Sequence, residues 1–104
     1  MDVKSFTDDL LSALANMGRF ERVALQAEGP IASGYAYLRN EFSLRFYFNE
    51  VTGTTAFALI ENQQRIWGVD YDNRRGWHLH PVDDPTKHIN TQPLSVTEIL
   101  KLLE

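Results

Sequence analysis

The 104-residue chain contains no cysteine. That excludes disulfides, thiolate metal sites and a cysteine nucleophile, and it fits a reducing compartment. No apolar run approaches the roughly 18 residues of a membrane-spanning helix. The opening Met1-Asp2-Val3-Lys4-Ser5 passes directly into an amphipathic pattern, without the charged and apolar regions of a signal peptide. The expectation is a cytoplasmic chain without membrane contact. Basic residues are outnumbered, 10 Lys and Arg against 14 Asp and Glu for a net charge of -4, so the chain is not built to coat nucleic acid through bulk electrostatics. A few arginines around a cleft still suffice to hold one phosphate, whatever the overall sign. Also missing are a phosphate-binding glycine loop, a nucleophile elbow, a Ser-His-Asp spacing for acyl transfer and a His-Glu-x-x-His motif. No repeat or low-complexity segment occurs. What remains for chemistry is three histidines, carboxylates, tyrosines and hydroxyls.

One domain covering residues 1–104 is expected, since a chain of this length buries roughly two thirds of its unfolded surface without a metal or disulfide. Ser5 to Met17 reads as a helix capped by Ser5, with Phe6, Leu10, Leu14 and Met17 at helical spacing and Gly18 as the stop. Glu21 to Ala27 alternates Val23, Leu25 and Ala27 against polar neighbours, giving a half-buried strand ended by Glu28-Gly29-Pro30. In Ile31 to Leu38, Tyr35 and Tyr37 share one face, with Ala32, Gly34, Ala36 and Leu38 on the other. Arg39-Asn40-Glu41 is a polar turn into Phe42 to Phe48, where Phe42, Leu44, Phe46 and Phe48 point inward and Ser43, Arg45 and Tyr47 outward.

Thr54 to Ile60 is apolar or small on both faces and reads as a central strand. Arg65 to Asp70 follows, with Trp67 and Val69 alternating against Ile66 and Gly68, and the turn formers Tyr71-Asp72-Asn73-Arg74-Arg75-Gly76 lead into Trp77-His78-Leu79-His80. As a strand, this last stretch turns Trp77 and Leu79 to the core and places His78 and His80 together on the other, open face. From Pro81 to Pro93 no periodicity is visible, and the stretch is expected to wrap beside the histidine strand. Ser95 and Glu98 then form a capping box, with Leu94 and Ile99 at staple spacing and Ile99, Leu100 and Leu103 as a buried face. The layout is α+β: an N-terminal helix, an antiparallel sheet of about five to six meandering strands and a C-terminal helix, both helices on one face.

The run Asn49-Glu50-Val51-Thr52-Gly53, then Asp72-Asn73, Gly76-Trp77-His78-Leu79-His80-Pro81, Thr86-Lys87-His88 and the capped leucine-rich helix resembles the TumE-type toxins of bacterial and archaeal toxin-antitoxin systems. The likeness extends from about Glu21 onward. It implies a small cytoplasmic toxin acting on RNA, silenced by a cognate helix-turn-helix antitoxin. The family's Asp-Asn pair, following aromatic residue and clustered histidines correspond to Asp72, Asn73, Trp77, His78, His80 and His88.

The chemistry expected with this resemblance is RNA cleavage without metal or cofactor. One histidine removes the ribose 2′-hydroxyl proton, another protonates the departing 5′-oxygen, and an arginine stabilises charge at phosphorus. His78, His80, His88 and Arg45 are the candidate catalytic residues. Arg74, Arg75, Lys87, Tyr47, Asp72, Asn73 and Trp77 are candidates for holding substrate, by charge, hydrogen bonding or stacking. Two histidines on one strand face stand about 6 to 7 Å apart at their Cα atoms, close enough to bracket a phosphate. One alternative is a metal site, because His-x-His with a third ligand from His88, Asp72 or Asp70 suits zinc or iron. Another is a non-catalytic interaction module anchored by Tyr35, Tyr37, Tyr47, Trp67 and Trp77. A homodimer is compatible with either. The plainest reading of the tryptophans is core packing, and of the histidines, strand residues bonded to their neighbours.

Overall fold

In a computed structural model of the chain, residues 1–38, 42–82, 84 and 86–103 are described. The first helix, α1, spans Val3–Met17, two residues longer at its start than the sequence spacing predicts. Its cap is Asp2 rather than Ser5: the Asp2 carboxylate accepts from the Ser5 amide at 2.8 Å, and Glu50 takes the Val3 amide at 3.1 Å. An acidic side chain satisfies free amides at a helix start and also faces its positive dipole end, so the carboxylate displaces the hydroxyl as the cap. Gly18, left-handed at φ 64°, closes the helix by donating its N–H to the Leu14 carbonyl.

Among the described residues, seven antiparallel strands follow in sequence order: β1 Phe20–Glu28, β2 Ile31–Leu38, β3 Phe42–Asn49, β4 Thr55–Glu61, β5 Gln64–Asp72, β6 Gly76–His80 and β7 Ile89–Asn90. The sheet thus has more strands than the expected five to six. The surplus is β7, whose two residues are too few to display alternation. The chain ends in α2, Val96–Lys101, where Ser95 and Glu98 form the expected capping box. The expected turn Arg39-Asn40-Glu41 lies outside the described residues.

Both helices cover one face of this sheet. Phe6 of α1 lies parallel to Phe48, ring centroids 4.7 Å apart, and Val96, Ile99 and Leu100 of α2 are buried in the same core. Registered rows supply the sheet side, with Gly34, Phe46, Phe57, Val69 and Leu79 successive partners across β2 to β6. Gly34 has no tolerable substitute in that row: at φ 154°, a Cβ would lie 1.9 Å from the Ala24 carbonyl oxygen. The opposite face carries the row Tyr35, Arg45, Ala58, Gly68, His80 and, beside it, Tyr47, Ala56, Asp70, His78. No described helix is long and apolar enough to cross a membrane.

Candidate functional site

The face of His78 and His80 is the one the alternation predicts, away from the helices, but the rings do not stand in the open. His78 is 4% exposed and His80 is 2% exposed. The cause is local. His80 is paired with Gly68, and a Cβ on Gly68 would meet its Cδ2 at 3.6 Å, an ordinary contact distance, so the imidazole packs directly against the sheet there. Ala56 and Ala58 on β4 keep the neighbouring outer positions low.

Asp70 is the cross-strand partner of His78. Its Oδ2 lies 3.1 Å from Nε2 of His80 and 3.5 Å from Nε2 of His78. Nδ1 of His78 is 3.3 Å from the Gly76 carbonyl oxygen. The carbonyl and the carboxylate both only accept, so a neutral ring, with one N–H, satisfies one of them and sets its other nitrogen's lone pair against an acceptor. The third histidine arrives through β7. Asn90 pairs with His78 and Ile89 with Leu79, so one further step along the antiparallel register sets His88 against His80. Their ring centroids are 4.5 Å apart, and His88 is 5.4 Å from His78. His88 is exposed, the only one of the three that is.

Around this cluster opens a pocket of about 300 Å3, lined on its remaining sides by Thr54, Thr55, Arg65, Tyr71, Asp72 and Arg75. Arg65 reaches it because of a bulge. Leu59 pairs with Trp67 but Ile60 pairs with Arg65, so β5 gains one residue and Arg65 turns to the outer face with Asp70, its guanidinium 4.0 Å from Oδ2. Simple alternation assigns Arg65 to the face of Trp67, which is why sequence reasoning overlooks it. Asp70, anticipated only as an optional metal ligand, is the centre of the arrangement.

The chain matches no protein-family model, no curated protein and no solved structure. The remaining expected site residues divide by position. Asp72 holds the loop, its Oδ1 accepting from the Arg75 amide at 2.7 Å and the Arg74 amide at 2.9 Å. These bonds, first that from Arg75, together with the charge of Arg75, keep its carboxyl below the ordinary range. Arg75 lines the pocket, whereas Arg74 is exposed beside it. Asn73 accepts from the Tyr71 hydroxyl at 3.2 Å. Lys87 is exposed next to His88, its amide donating to the Asp84 carbonyl.

Three expected residues are not brought to the histidines. Arg45 shares the row of His80, and Tyr47 that of His78, but each is three strands away, on the order of 14 Å at ordinary strand spacing. Arg45 lines a separate pocket with Tyr35, Ser43 and Ile60. Trp77 is on the helix side, its ring 5.2 Å from that of Tyr71, so the sheet itself separates it from a ligand over His78. A larger cleft, about 660 Å3, lies at the far end among Gly18, Phe20, Leu38, Phe42, Leu59 and Leu103. It holds none of the histidines, and its Arg19 donates to the Leu103 carbonyl at 2.8 Å.

Proposed function

We propose that this chain is the toxin component of a toxin-antitoxin pair, as its resemblance to TumE-type toxins implies, and that it cleaves RNA at the pocket of His78, His80 and His88. The observation that supports this reading is the gathering of three imidazoles, the Asp70 carboxylate and the side chains of Arg65 and Arg75 around one open pocket. Cleaving a ribose-linked phosphodiester requires a base at the 2′-hydroxyl, a proton donor at the 5′-oxygen and positive charge at phosphorus. His88 is the imidazole that faces solvent and therefore meets the substrate. His80 and His78 lie behind it, steadied by Asp70, and Arg75 and Arg65 draw in the phosphate. Arg45 has no part in this arrangement.

The test is incubation of purified protein with a mixed-sequence RNA, alongside induction in growing cells. Intact protein is expected to cut RNA and arrest growth. His88→Ala, an exposed change that leaves the core untouched, is expected to lose at least about 100-fold of the cleavage rate. An RNA left whole by folded wild-type protein refutes the reading.

A second reading, a protein-binding module without catalysis, is favoured by a different place on the same face. Tyr35 and Tyr37 stack 6.1 Å apart and the Arg22 guanidinium lies 4.5 Å over the Tyr37 ring, the residue types that anchor protein interfaces. This ladder is where we would seat the cognate helix-turn-helix antitoxin. Binding at this ladder is also compatible with catalysis at the histidines, and Tyr35→Ala tests it by weakening capture of the antitoxin without slowing any RNA cleavage.

A further inference from the structure

We infer that His78, His80, His88 and Asp70 form a binding site for one Zn2+ ion. The ligand atoms of the three histidines all lie within 4.8 Å of one another, and Asp70 Oδ2 stands 3.1 and 3.5 Å from two of them. Nitrogen and oxygen ligands about 2.0 to 2.1 Å from a tetrahedral Zn2+ are about 3.3 Å from each other. The edges from Asp70 to His80 and to His78 already have about that length. The imidazole ligand atoms need to draw together by no more than about 1.5 Å to reach it, and His88, on the segment entering β7, is the least enclosed of the three rings.

The hydrogen bonding of His78 points the same way. In the tautomer with Nδ1–H directed at the Gly76 carbonyl, the neutral ring sets an Nε2 lone pair against the Asp70 carboxylate 3.5 Å away. Two acceptors then face each other beside the pocket, an arrangement that a cation between them relieves. A backbone carbonyl behind Nδ1 is also the outer contact that fixes a metal-binding histidine in its ligating tautomer. Donor chemistry selects the ion: three imidazoles and one carboxylate, with no cysteine anywhere in the chain, suit Zn2+ rather than a thiolate-seeking or an all-oxygen-seeking metal.

Zn2+ binding stands apart from the ribonuclease reading, but one consequence rests on it. An ion that occupies the imidazole lone pairs removes them from proton transfer, so Zn2+ would switch cleavage off. The experiment uses full-length protein without a histidine tag, stripped by chelator and titrated with Zn2+ while heat and thermal unfolding are recorded. One ion per chain is expected, with Tm rising by roughly 10 °C at a hundredfold excess over Kd. His88→Ala, whose apo form should unfold at the wild-type temperature, is expected to bind at least about 100-fold more weakly, and Asp70→Asn about 10- to 100-fold more weakly. No saturable binding at micromolar Zn2+, or equal binding by His88→Ala, overturns the inference. RNA cleavage by the stripped protein that Zn2+ abolishes supports both proposals. Binding without cleavage in either state leaves the metal site standing and removes the ribonuclease, and cleavage without binding does the reverse.

Discussion

Replacing Gly34 by alanine tests the register on which the whole sheet, and so the placing of the histidines, depends. The new methyl would stand 1.9 Å from the Ala24 carbonyl oxygen, 3.0 Å from that carbonyl carbon and 3.1 Å from Cζ of Phe46. Two of these neighbours are backbone atoms of β1, held by pairing along its length. Ordinary contact begins near 3.4 Å, so β1 and β2 must separate by more than an ångström locally or the Gly34 backbone must rotate. Forcing an extra methyl into a packed place costs about 1 to 3 kcal/mol. Holding a non-glycine residue at φ 154° costs about 1 to 3 kcal/mol more. A loss of about 2 to 6 kcal/mol is therefore expected, a large part of the roughly 5 to 15 kcal/mol available to a domain. Urea unfolding followed by tryptophan fluorescence, with Trp67 buried in the core, measures it. A loss under about 1 kcal/mol would mean that β1 does not lie against Gly34 as described, and the reasoning from registered rows would fail with it.

Two further expectations concern parts nearer the site. The turn joining β4 to β5 places Asn62 at φ 51° and Gln63 at φ 66°, the double left-handed geometry of a two-residue hairpin that favours Asn-Gly. Gln63→Gly is thus expected to raise stability by about 0.5 to 1 kcal/mol in the same unfolding assay, against the usual penalty of glycine in a strand or helix. The second is a pH effect. Asp72, with its carboxyl depressed in the fold below the ordinary 3.8 by the Arg75 and Arg74 amides, binds its proton more readily when unfolded. Its contribution is complete above about pH 4 and is lost as the pH falls through the lower folded value. Asp72→Asn should flatten the acid limb of a stability-against-pH curve, and an unchanged limb would count against the loop hydrogen bonds.

Much of the fold was legible because its signals are local. The alternation of Phe42 to Phe48 marks β3, and the Ser95 to Glu98 box marks the start of α2, each within a window of a few residues. The facing of His78 and His80 followed from the same two-residue period. Their burial did not, since it depends on the side chains that neighbouring strands set around them. Asp2 and Ser5 both fit the capping pattern, and only the folded helix start shows which side chain reaches the free amides.

The order of apolar and polar side chains along the chain, which is a property of consecutive residues, by itself determined a meander between two helices with histidines on the face turned from the core. What only the folded molecule decided is how distant residues stand beside one another. The two-residue pairing of β7 brings His88 to His80, the bulge in β5 turns Arg65 toward Asp70, and three intervening strand spacings keep Arg45 away. Each of these depends on lateral hydrogen-bond register between strands, and register is a relation between segments that no single segment encodes.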